Sequence, residues 1–244
     1  MPQLHVRADA GAVAPIVLLP GDPDRATLIA ERFFEHATRY NEYRHLFGYT
    51  GTFQGVPVSV QATGMGCPSL AIVVEELVRL GARTLVRVGT CGAVASGVAP
   101  GDLVVATSSV ANDGTTRQYL RGVAHSPSAD FALTRTLAAA AESTGRRAHV
   151  GLIQTDDAFY IETPEDVPAM ASRGVLAVEM EASALFTIGA LRGVRTGCML
   201  AVSNVIGDTA FVAPEVLQQA VLDMTEATLR ASTQEVRDAG RETT

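Results

Sequence analysis

Apolar residues recur along this chain in short unbroken runs that alternate with stretches of helical spacing, a pattern of buried strands joined by amphipathic helices. Residues 15–19 read as a buried strand that enters Gly21-Asp-Pro-Asp-Arg25, where Pro23 suits a first helical turn. The helix that follows carries Leu28, Ile29, Phe33 and Phe34 on one face. Residues 43–52 and 56–63 flank Gln54-Gly55 and predict a hairpin. Over 67–80, Leu70, Val73, Val74, Leu77 and Leu80 share one side of a helix, with Pro68 in its first turn and Gly81 as its stop. Strands are predicted at 84–88, 102–110, 149–153 and 196–202, and a helix at 131–141. A polar loop passes through Ser126-Pro127, and Thr163-Pro-Glu-Asp166 opens a short helix. Residues 175–185 begin as an apolar strand and turn into a helix that runs to Gly193. From Pro214 a last helix repeats Leu217, Val221, Met224, Ala227 and Thr228. Strands alternating with helices predict one α/β domain over residues 1–244, a three-layer α/β/α with a mixed, largely parallel central sheet.

Composition narrows the function classes. With 47% hydrophobic and 18% charged residues among 244, the chain has a sizeable core. A net charge of −7 argues against nucleic acid as a partner, since counterion release needs clustered Lys and Arg. An anionic ligand must therefore be held by a local group of arginines. Cys67, Cys91 and Cys198 are few, odd in number and apolar in setting, which predicts reduced core thiols and a cytoplasmic protein. The amino terminus lacks a signal-peptide core, and no stretch approaches the length of a membrane span.

Four features suggest chemistry. Glu179 and Glu181 end an apolar strand, on one side of it by alternation, with Met180 on the other. Paired acids there suit gripping the hydroxyls of a ribose, and they equally suit opening the helix that follows. The turn from Gly21 to Arg25 can cradle an anion with backbone N–H groups, or it can be an ordinary strand-to-helix turn. Arg87 stands inside an apolar strand just before Gly89-Thr90-Cys91-Gly92, a costly position that requires an anionic ligand or an internal carboxylate. Phe159 or Tyr160 can stack on a planar base or anchor a loop, and Ser203-Asn204 closes a strand with polar groups.

Six motifs in chain order then closely resemble one family, the nucleoside phosphorylases of the hexameric bacterial purine and uridine phosphorylase type. They are Gly21-Asp-Pro-Asp-Arg25, Gly64-Met-Gly-Cys-Pro-Ser69, Arg87-Val-Gly-Thr-Cys-Gly-Ala93, Asp157-Ala-Phe-Tyr160, Val178-Glu-Met-Glu-Ala-Ser183 and Val202-Ser-Asn204. The resemblance implies that Gly21, Arg25, Arg87, Gly89 and Thr90 bind inorganic phosphate as co-substrate, with Arg44 from a neighbouring subunit. It implies a ribose site of Met65, Thr90, Met180 and Glu181, completed by the neighbour's His5. Cys91, Gly92, Phe159, Val178, Glu179, Met180, Ser203 and Asn204 would line the base, with Asn204, Arg87 and Glu181 carrying catalysis. A homohexamer built as a trimer of dimers is implied, with no metal, no organic cofactor and no membrane or nucleic-acid partner.

One departure matters. The best-known purine members carry Asp as general acid at position 204 and a supporting Arg where this chain has Leu217. Asn204 cannot protonate a leaving base but can donate to N7 and a 6-keto oxygen, so inosine and guanosine are expected over adenosine. Uridine phosphorylases resemble the chain less, because Ile161-Glu-Thr-Pro-Glu-Asp166 offers neither the Gln nor the Arg that reads uracil. A hydrolytic nucleosidase would not need Arg25, Arg44 and Arg87, and a non-catalytic nucleoside-binding protein would not need a phosphate site.

Overall fold

The computed structural model describes residues 3–161, 164–208 and 211–242, so Thr163 of the expected short-helix opening lies outside the described residues. The elements in order are β1 (Ile16–Leu19), α1 (Pro23–Phe33), β2 (Glu35–Asn41), β3 (Gly48–Phe53), β4 (Val56–Gln61), α2 (Cys67–Arg79), β5 (Thr84–Ala93) and β6 (Leu103–Asn112). There follow α3 (Gly114–Leu120), α4 (Phe131–Glu142), β7 (Ala148–Asp156), α5 (Val167–Ala171), β8 (Ala177–Glu179), α6 (Ala182–Arg192), β9 (Arg195–Val205) and α7 (Pro214–Glu242).

Strand alternation sorts the apolar residues into two cores, one on each face of the sheet. Val17 and Leu19 of β1, Leu85 of β5 and Cys198, Leu200 and Val202 of β9 pack with α2 and α6. Ile16, Leu18, Val86, Val88, Met199 and Ala201 face the other way, onto α1, α4 and α7. Helices on both faces give the expected three layers. Arg87 shares its parity with Leu85, and this sends its side chain toward α6, whose first turn follows Glu181.

Among the described residues the sheet has nine strands in the order β2-β3-β4-β1-β5-β8-β7-β6-β9. It is mixed as expected: β1–β4, β1–β5, β5–β9, β6–β7 and β7–β8 are parallel, while β2–β3, β3–β4, β5–β8 and β6–β9 are antiparallel. The added pairing of β5 with β9 closes β5, β8, β7, β6 and β9 into a ring. Closure leaves those strands no free edge.

Three local expectations change. The hairpin is present, but its first strand starts at Gly48 and not at residue 43, because Arg44 and His45 lie in left-handed backbone with φ of 56° and 58°. β2 has no counterpart among the predicted elements, since it is an edge strand whose first five residues are exposed and polar or small. α3 likewise carries little apolar signal; its start is set by Asp113, which accepts from the Thr116 N–H at 2.6 Å.

Candidate functional site

The site grows from Arg87, which is 5% exposed. Its Nε donates to Glu179 Oε2 at 2.7 Å, and its Nη2 forms an ion pair with Glu181 Oε2 at 2.5 Å. Burial alone would lower its basicity, but the charges of Glu181 and Glu179 outweigh that and raise it. Gly89 makes room for the guanidinium: a Cβ there would sit 2.9 Å from Arg87 Cζ. The internal ion pair considered for this arginine is therefore real, and it is doubled.

The two acids have different partners. Glu179 ends β8, and its carboxylate accepts from the N–H groups of Glu181 at 2.8 Å and Ala182 at 3.0 Å, which opens α6. Thr155 Oγ1 also donates to it at 2.5 Å. Glu181 accepts the Gly66 N–H at 2.5 Å in addition to its ion pair with Arg87. Burial pushes the Glu181 carboxyl above its ordinary value; Arg87 opposes the shift and Glu179 reinforces it.

Arg25 approaches from α1. Asp22 caps that helix through the Asp24 N–H at 2.9 Å, and Pro23 occupies its first turn as the sequence predicts. Burial lowers the basicity of Arg25, Asp22 partly offsets this, and the positive charge of Arg87 lowers it further. Two guanidiniums thus lie near enough to repel. Among the described residues, Arg25 forms no ion pair, whereas Arg87 has two. Gly21 packs on the carbonyl of Gly64, 3.0 Å from where its Cβ would be, so the Gly21 turn meets the turn whose Gly66 N–H binds Glu181. Met65, at the tip of that turn, is 83% exposed, and Thr90 is half-buried on β5.

At the outer end of β5 the register with β9 slips between Cys91 and Gly92, and Ser203 is the residue skipped in the pairing. The Ser203 hydroxyl lies 3.1 Å from the Cys91 carbonyl and 2.9 Å from Asn204 Oδ1, while Asn204 Nδ2 reaches the Val205 carbonyl at 3.3 Å. Gly92 pairs with Val178 on one side and Asn204 on the other. Met180 is half-buried, and its carbonyl accepts from the Cys67 thiol at 3.3 Å. Phe159 is 56% exposed and meets the more exposed Tyr160 edge to face at 5.0 Å.

Two expected residues do not reach this place within one chain. His5 is tied to Glu76, through its backbone N–H at 2.9 Å and its ring Nδ1 at 2.8 Å. Arg44 lines a separate concavity of about 680 Å³ with Arg7, Arg39, Tyr40, Asn41, Glu42 and Tyr43. Leu217 packs against the second core.

Several polar residues were not singled out from the sequence. Thr155 and Ser109 lie behind Glu179, with their hydroxyls 2.7 Å apart, and Ser183 donates to Asp113 at 2.6 Å. Phe211 bridges to Asn204. Cys67, Asp113 and Asp157 gather within 4.8 Å, yet burial raises the Cys67 thiol well above its ordinary pKa, and both acids already accept protein N–H groups at the start of α3. A protonated thiol is a poor metal ligand.

Known proteins resemble the chain over most of its length. A family model described as the phosphorylase superfamily matches residues 15–236. The chain is 42% identical over 230 residues to a DeoD-type purine nucleoside phosphorylase of Geobacillus kaustophilus, spanning 94% of this chain and 97% of that one. It is 40% identical over 233 residues to one from Bacillus cereus, spanning 95% and 99%, and 42% identical over 203 residues to one from Clostridium novyi, spanning 83% and 87%. With its motifs, its mixed sheet and these relatives in agreement, the chain belongs to the phosphorylase superfamily, among the DeoD-type purine nucleoside phosphorylases.

Proposed function

We propose that this purine nucleoside phosphorylase uses its whole chain, residues 1–244, as one domain to cleave 6-oxopurine nucleosides, inosine and guanosine, in preference to adenosine. The observation that carries the phosphate half is the Arg25–Arg87 pair: two neighbouring cations repel, and only one of them has carboxylate partners among the described residues. An oxyanion between them relieves the repulsion. Gly21, Gly89 and Thr90 complete its cradle.

Phosphate attacks the anomeric carbon as the glycosidic bond stretches, so positive charge grows on the sugar and negative charge on the base. The nucleophile needs positioning more than activation, and each charge-assisted hydrogen bond contributes roughly 1.5–3 kcal/mol to holding it. Glu181 still has lone pairs beyond those facing Arg87 and Gly66, and these accept the ribose hydroxyls beside Met65 and Met180. Cys91, Gly92, Val178, Phe159, Ser203 and Asn204 frame the base. The Asn204 amide has one N–H on the Val205 carbonyl and a second to offer to a purine. A site of that kind rejects a mismatched donor pattern by up to ~10⁴-fold.

Catalysis draws on inorganic phosphate as co-substrate and on no metal or organic cofactor. A neighbouring subunit in a trimer of dimers supplies His5 and Arg44, since neither reaches this site within its own chain. Among the described residues no helix is long and apolar enough to cross a membrane, in keeping with a cytoplasmic enzyme.

Inosine, guanosine, adenosine and uridine compared with and without phosphate test the reading. Base release from inosine and guanosine should require phosphate. Phosphate-independent release would mean hydrolysis, and equal kcat/KM for adenosine and inosine would refute the purine preference.

A further inference from the structure

We infer that Glu179 does not read the base but is a positioning residue, which locks the Arg87 guanidinium in the orientation that receives phosphate. The inference rests on the phosphate site proposed above.

The lone pairs of the Glu179 carboxylate are accounted for. A carboxylate has about four acceptor sites. Arg87 Nε takes one at 2.7 Å, the Glu181 N–H another at 2.8 Å, the Ala182 N–H straddles both oxygens at 3.0 and 3.1 Å, and Thr155 Oγ1 donates at 2.5 Å. The side chain is 0% exposed. A purine edge finds no free acceptor there.

The group behind it is equally fixed. Thr155 has one hydroxyl proton, and Glu179 can only accept it, so the 2.7 Å contact between Thr155 and Ser109 must be donated by Ser109. The Ser183 N–H donates to the same Thr155 oxygen at 3.0 Å. Ser109, Thr155, Glu179 and Arg87 therefore form a hydrogen-bonded row running from buried positions on β6 and β7 to the guanidinium.

That row decides which face of Arg87 is left over. Glu179 takes the Nε–H and Glu181 is ion-paired with Nη2, so the side of the guanidinium that carries those two nitrogens is turned to the acids, and the terminal edge, with one N–H from each of Nη1 and Nη2, is the one left for an anion. A terminal edge presents two parallel donors, the geometry that suits a phosphate oxygen pair. Without Glu179 the guanidinium can turn about its stem, and a misplacement of about 1 Å costs about 10²-fold.

The test is steady-state kinetics with inosine and phosphate varied separately, together with calorimetric binding of inorganic phosphate alone. Glu179→Gln should raise the phosphate KM by about 10²-fold while the nucleoside KM and the inosine-to-guanosine ratio stay within about twofold. A change in nucleoside KM or in that ratio, with phosphate KM unmoved, would overturn the proposal. Should Glu179→Gln not fold, Thr155→Val and Thr155→Ser supply the same reading. Val should raise the phosphate KM and Ser should restore it, and equal behaviour of the two would count against the proposal. If the wild type shows no phosphate-dependent base release, the phosphate site itself is wrong; if it does and Glu179→Gln binds phosphate normally, only the role given to Glu179 fails.

Discussion

The two ends of the site are built to opposite standards. Around Arg87, the acids, hydroxyls and backbone N–H groups are buried and mutually bonded, and a Cβ on Gly89 would already collide with the guanidinium. At the other end Asn204 is half-buried and Phe159 open to solvent, with the amide held by neighbours one residue away. Buried charge explains the difference. An isolated ion in a core costs several kcal/mol, so every group near one must be satisfied before a ligand arrives, whereas a planar base asks only for area and a few donors. Substitutions among the mutually bonded groups around Arg87 should therefore change stability and phosphate use together, and those at the base end should change substrate choice alone.

Arg87→Ala gives the largest effect. It leaves Glu179 and Glu181 buried without their cation, which typically costs about 3–5 kcal/mol, and it removes phosphate use as well. Denaturant midpoints by circular dichroism, read beside kcat/KM for phosphate, check both. Arg25→Ala should separate the two effects. Phosphate kcat/KM falls about 10–10²-fold through the loss of one charge-assisted hydrogen bond, while the melting temperature holds or rises because the repulsion with Arg87 is gone. If Arg25→Ala destabilises as much as Arg87→Ala, the asymmetry between the two arginines is wrong.

Asn204→Asp probes the other end. A carboxyl there can give a leaving adenine the proton that an amide cannot, so adenosine kcat/KM should rise at least about tenfold, with stability changed by about 0.5 kcal/mol or less. The packed position of Leu217 limits the gain, because no arginine stands there to support the new acid. Adenosine turnover unchanged by the substitution would show that this position does not set base choice.

The sequence made the anion end legible for the same reason that it is rigid. Arg87 in an apolar strand and two acids closing another are anomalies that hydrophobic patterning exposes, and the turn at Gly21 announces a helix start. The partners that complete the network leave no such mark. Thr155 is one hydroxyl 24 residues from Glu179, and Ser109 is further still from it. The ring closed by β5 and β9 depends on a pairing between segments more than a hundred residues apart, which periodicity cannot register. β2 was missed because an exposed edge strand needs no apolar face. The left-handed backbone at Arg44 and His45 was invisible because neither residue is glycine.

The smallest effect comes from Glu181, and its sign tests whether the anion end is as dry as its hydrogen bonds imply. Burial holds this carboxyl above its ordinary pKa, against the pull of Arg87 and with the push of Glu179. A carboxyl raised on folding contributes stability that is fully present below its unfolded pKa and is lost as pH rises through the folded one. The wild type should therefore lose stability relative to Glu181→Gln as pH climbs above the ordinary carboxylate range, because only the wild type must then carry a buried charge. Melting temperatures of both proteins across that range give the difference directly. A wild type that instead gains on Glu181→Gln with rising pH would mean that Arg87 outweighs desolvation at Glu181, and the contrast between a dry anion end and a wet base end would then rest on Glu179 alone.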